Sequence, residues 1–80
     1  MSGHHPPIDC KDMKAILKFL GFRRESTSGS HDQWTKVEGG KKFKVTVDCP
    51  KSPFSQTLLT RMAAQAGVTK KEIYRILAAL

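Results

Sequence analysis

Eighty residues leave room for one small domain, and 14 Lys plus Arg against seven Asp plus Glu give a formal net charge of +7. A chain this short buries only about 60–65% of its unfolded surface, so no separate regulatory domain fits beside a catalytic one. The charge favours a polyanion or an acidic protein surface as partner, and no apolar run approaches the ~20 residues of a membrane span.

Residues 1–8 read as a flexible N-terminal lead-in: Pro6-Pro7 blocks regular structure, and the polar start has no secretory hydrophobic region. A cytoplasmic protein is therefore expected. His4-His5 with Cys10 has no recognised metal-ligand spacing, so neither a metal nor a cofactor is expected. Cys10 and Cys49 stand isolated and fit reduced thiols better than a disulfide framework, and a single bridge between them has no support in the sequence.

Residues 9–80 make the domain. A helix starts at Asp9, a good N-cap, with Asp12 adding negative charge to the first turn. Met13, Ile16, Leu17 and Leu20 form one apolar stripe, and Gly21 ends the helix. Lys11, Lys14 and Lys18 lie off that stripe, either as a solvated face or as phosphate contacts. Residues 22–27 read as a strand with an unusually polar interior. After the Gly29-Ser30 corner, residues 31–37 give a second strand. Period two sends His31, Gln33, Thr35 and Val37 to one face and Asp32, Trp34 and Lys36 to the other.

Glu38-Gly39-Gly40-Lys41 is a hairpin signal, because paired glycines supply the positive φ of tight primed turns. The third strand, 42–48, points Phe43, Val45 and Val47 inward and Lys42, Lys44 and Thr46 outward. After a loop over 50–53, a helix begins at Ser52-Pro53 or at Ser55 and ends at Gly67, burying Leu58, Leu59, Met62, Ala63 and Ala66. Thr69-Lys70-Lys71-Glu72 is a capping box that opens a last helix with Ile73, Ile76, Leu77 and Leu80 as its stripe. The expected fold class is α+β, with the first helix and the one from near Ser55 side by side on one face of the sheet. Phe43, Val45, Val47, Ile16, Leu20, Leu58 and Met62 are the expected core.

Chemistry concentrates at Gly29-Ser30-His31. A glycine lets the backbone turn or approach a ligand closely, a serine can hydrogen-bond an oxyanion, and histidine transfers protons near neutral pH. RNA cleavage needs a base for the 2′-hydroxyl, an acid for the leaving oxygen and cations for the phosphate. His31 is the candidate acid-base group, with water or a lysine covering the second proton. Ser30, Lys36, Lys42 and Lys44 are the candidate RNA-binding residues. Asp32 can orient His31 only where strand alternation breaks. Trp34 either stacks a base or packs against a helix. There is no nucleophile triad, no Walker-type glycine loop and too few carboxylates for a two-metal site.

The ordered set Leu20-Gly21-Phe22, Gly29-Ser30-His31, Trp34, Lys44-Val45-Thr46-Val47, Thr57-Leu58 and Gln65-Ala66-Gly67-Val68 resembles the HicA family of small toxins over roughly residues 10–70. The resemblance implies an mRNA interferase, a metal-independent endoribonuclease of a type II toxin-antitoxin system. It implies a double-stranded-RNA-binding-domain-like α-β-β-β-α fold, here with an additional C-terminal helix. It also implies His31 as the catalytic residue, mRNA as substrate and a HicB-type antitoxin encoded by an adjacent gene; the isolated chain is expected to be a monomer. Residues 58–77 carry a competing pattern, that of a repressor helix-turn-helix with Lys70, Lys71, Tyr74 and Arg75 on its second helix. A non-catalytic RNA-binding module is the third reading.

Overall fold

The computed structural model describes residues 7–28 and 31–80. Its elements run α1 (Cys10–Phe19), β1 (Arg23–Ser28), β2 (His31–Glu38), β3 (Lys41–Asp48), a 3-10 turn over Cys49–Lys51, α2 (Gln56–Ala66) and α3 (Lys70–Ala79). This α-β-β-β-α-α order with a three-stranded antiparallel sheet, β1-β2-β3, is the double-stranded-RNA-binding-domain-like α+β layout with an added helix.

Local chemistry sets the element ends. The Asp9 carboxylate accepts from Asp12 N–H at 2.9 Å, Ser55 Oγ from Leu58 N–H at 3.2 Å and Thr69 Oγ1 from Glu72 N–H at 3.1 Å. Each cap satisfies a donor that the first helical turn leaves over. Gly39 and Gly40, at φ +61° and +77°, form the two-residue turn between β2 and β3. Gly67, at φ +78°, closes α2, and a Cβ there would sit 2.7 Å from the Phe43 ring. The polar β1 is irregular: its register to β2 shifts between Arg24 and Ser26, leaving Glu25 as a bulge.

One face of the sheet carries the core. Trp34, Val45 and Val47 are buried against Met13, Ile16 and Leu17 of α1, Leu59, Met62, Ala63 and Ala66 of α2, and Ile73 and Ile76 of α3. Of the expected core, Ile16, Val45, Val47 and Met62 are buried, and Leu20, Phe43 and Leu58 are partly buried against them.

Three expectations need correction. It is α3, rather than α2, that supplies the main helical neighbour of α1, because the Ile73/Ile76 stripe needs an apolar partner while α2 lies against β3. Ile8, expected in the flexible lead-in, is fully buried, and its carbonyl accepts from Phe54 N–H at 2.9 Å. Cys10 and Cys49 are bonded, where free thiols were expected. The fold brings the start of α1 beside the end of β3, with the two Cα atoms 5.0 Å apart.

Candidate active site

His31 opens β2 on the face of the sheet that the helices leave uncovered, and its side chain is half exposed. The turn at Gly39-Gly40 fixes its cross-strand neighbour. Pairing runs from Glu38 with Lys41 out to His31 with Asp48. Directly opposite neighbours on one sheet face lie within side-chain reach, and the imidazole Nε2 meets Asp48 Oδ2 at 3.2 Å. Beside this pair lies a cleft of about 240 Å³ at the rim where β3 meets α2. Thr46, Lys51, Arg61 and Gln65 line it together with His31 and Asp48. Thr46 is held from two sides, its N–H donating to Gln65 Oε1 at 3.5 Å and its hydroxyl to Gln33 Oε1 at 3.0 Å. An imidazole held by a carboxylate, with one lysine and one arginine on the same cleft, suits proton transfer next to a bound phosphate.

The other predicted site residues divide by face. Lys42 and Lys44 project from the His31 face, opposite Val37 and Thr35. Counting along β2, those rows lie roughly 20 and 13 Å from His31. Lys42 is further engaged by Glu25 at 3.4 Å. Lys36 was expected beside His31 but sits on the other face, because five residues of strand reverse the side. Its side chain is largely buried, with Nζ 5.0 Å from the Phe22 ring centroid, 5.5 Å from that of Phe43 and 3.1 Å from Glu38 Oε1. Trp34 is buried at 3% exposure, so it packs against helices and presents no face for a base to stack on. Ser30 lies outside the described residues.

Asp32 obeys strict alternation and turns away from His31 into the core side. There it accepts from Lys14 Nζ at 2.8 Å and from Thr27 Oγ1 at 2.8 Å. The Lys14 hydrogen bond holds its carboxyl below the usual aspartate range against the opposing pull of burial, and Thr27 adds to the lowering. The carboxylate beside the imidazole is therefore Asp48, which sequence reasoning missed along with Lys51 and Arg61. The hairpin turn carried the signal for Asp48, since a two-residue loop determines every cross-strand pair. Nothing comparable marks Lys51 and Arg61, whose approach depends on how α2 docks.

The helix-turn-helix pattern is realised as α2 and α3, but two of its four reading side chains, Tyr74 and Arg75, already hold protein partners. Gln56 Nε2 donates to Tyr74 Oη at 2.9 Å, and Arg75 is paired with Glu72. Among the described residues no three His, Cys, Asp or Glu side chains cluster as metal ligands, and no helix is long and apolar enough to cross a membrane.

The family model described as the HicA toxin of bacterial toxin-antitoxin covers residues 10–68. No curated protein and no solved structure matches. The family match spans both strands of the His31–Asp48 pair and most of the chain, and the chain belongs to the HicA toxin family.

Proposed function

We propose that this toxin is an mRNA interferase, an endoribonuclease that uses His31 as its acid-base group without a metal. The observation that carries the reading is the Asp48-held imidazole on a cleft lined by Lys51 and Arg61. His31 takes the proton of a 2′-hydroxyl as that oxygen attacks the adjacent phosphorus. The bond from phosphorus to the 5′-oxygen breaks, the leaving oxygen takes a proton from water, and the hydroxide so formed recovers the proton from the His31 imidazolium, which restores the neutral base. With Nε2 turned to Asp48, Nδ1 is the nitrogen left to exchange that proton. Lys51 and Arg61 neutralise the phosphoryl oxygens, where charge develops in the transition state. Lys42 and Lys44 hold more distant phosphates, and Ser30 adds a hydroxyl donor next to His31 in the sequence.

A HicB-type antitoxin is the proposed protein partner, covering the His31 face. The net charge of +7 calls for an acidic counterpart. The cytoplasm is the proposed location, where transcripts and a neighbouring gene product are both at hand. The test is induction of the chain in a bacterium. Growth arrest and shortened transcripts are expected, with His31→Ala folded and harmless. Equal toxicity of the His31→Ala chain overturns the catalytic reading in favour of a binding mechanism.

A further inference from the structure

A second basic surface lies away from the His31 cleft, in the angle between α1 and β1. It is an open groove of about 470 Å³ lined by Lys14, Lys18, Arg23, Arg24, Phe22 and Trp34. Four cations converge there, and only Lys14 is neutralised, by Asp32. Among the described residues no ion pair holds Lys18, Arg23 or Arg24. The groove also includes Trp34, whose buried Nε1 has no hydrogen-bond partner among the described residues. The Trp34 ring lies against the groove, so a ligand that fills the groove changes the surroundings of the indole.

The surface does not end at the groove. Arg23 pairs across the sheet with Thr35, and Thr35 with Lys44, so Arg23 and Lys44 stand in one row across the sheet. The cations thus continue from α1, round the exposed edge of β1, and onto the face that bears His31. A band of this shape fits a linear polyanion better than a compact acidic patch. We infer that the α1–β1 groove binds the phosphate backbone of single-stranded RNA and passes the strand over the β1 edge toward His31. This rests on RNA being the substrate, and it adds a site, Lys18 with Arg23 and Arg24, that catalysis itself does not require. Single-stranded RNA is the form chosen because a strand can bend round a sheet edge, which a stiff duplex cannot do over one small domain.

The test uses the full chain carrying His31→Ala, so that binding is measured without cleavage, and a fluorescein-labelled single-stranded RNA of mixed sequence. Adding Lys18→Gln with Arg24→Gln is expected to weaken binding several-fold and to reduce the salt slope of log K by about 1.4, the loss of two single-strand phosphate contacts. Lys70→Gln with Lys71→Gln removes the same charge from the start of α3 and is expected to change binding little. Trp34 is the only tryptophan, so RNA should shift the intrinsic emission of the parent and not that of the groove variant. Equal losses from the two double variants, or no loss from the groove pair, overturn the groove. So does a Trp34 emission unmoved by saturating RNA. Cleavage by the unmodified chain is scored separately: RNA cleaved as fast by the groove variant sinks the groove alone, whereas no cleavage by any form sinks the nuclease reading.

Discussion

His31 and Asp32 are consecutive in the chain and each takes part in a carboxylate–nitrogen contact, yet the two pairs lie on opposite faces of the sheet. On the inner face Asp32 is 5% exposed and bonded by Lys14 of α1 and Thr27 of β1. On the outer face His31 and Asp48 meet with side chains 49% and 23% exposed. The chemistry is similar, a carboxylate with a nitrogen, and burial decides what each does. A buried carboxylate must keep its donors, so the Asp32 cluster fixes α1 to the sheet. A solvated pair contributes little to folding and leaves the imidazole open to substrate.

The largest effect that would test this contrast is on the outer face. His31→Ala is expected to lower RNA cleavage by about 10²–10⁴ while leaving the melting temperature unchanged. A variant that melts early would instead place His31 among the structural residues. On the inner face the readout reverses. Asp32→Asn removes the charge that Lys14 and Thr27 address and is expected to cost about 2–3 kcal/mol in urea unfolding, as for hydrogen bonds to charged groups. The pH dependence has a definite sign. Because the folded-state pKa of Asp32 lies below the ordinary 3.8, its contribution is complete above that pH and is lost as pH falls through the folded value. Acid destabilisation below about pH 4 should therefore be shallower in Asp32→Asn than in the unmodified chain. Identical acid limbs would remove Asp32 from the stabilising set.

Most of the fold was legible because its signals are local. The caps at Asp9, Ser55 and Thr69, the Gly39-Gly40 turn and the apolar stripe of α1 each act within a few residues. What escaped depends on contacts between distant segments. Ile8 follows two prolines and looks like leader, but Phe54 and the core claim it. Cys10 and Cys49 are 39 residues apart, and only the docking of α1 beside the end of β3 makes them neighbours. Within the site, alternation placed His31 and Asp32 on opposite faces, but Asp48 was missed although the register set by the hairpin turn pairs it with His31. Lys36 was grouped with His31 by sequence proximity, although the same alternation already put it on the other side.

Two smaller effects sharpen the contrast further. Asp48→Asn is expected to slow cleavage about fivefold, matching the roughly 1 kcal/mol upper range of an exposed pair. The loss should fall on kcat with KM spared and reshape the pH–rate profile, since the carboxylate orients the imidazole and does not bind RNA. A loss confined to KM would make Asp48 a substrate contact instead.

The smallest expected effect separates two lysines that the sequence treats alike. Lys44 projects from the His31 face, whereas Lys36 lies over the Phe22 and Phe43 rings on the inner face. Lys44→Gln should reduce the salt slope of RNA binding by about 0.7, one single-strand phosphate contact, with stability unchanged. Lys36→Gln should leave that slope intact and cost about 0.5–1 kcal/mol of stability through lost cation–π contact. The two variants remove the same charge from the same small protein, so a general charge effect predicts equal slopes. Unequal slopes in this order would put Lys44 and not Lys36 on the path of the RNA, and a steeper loss from Lys36→Gln would reverse that assignment of the two lysines.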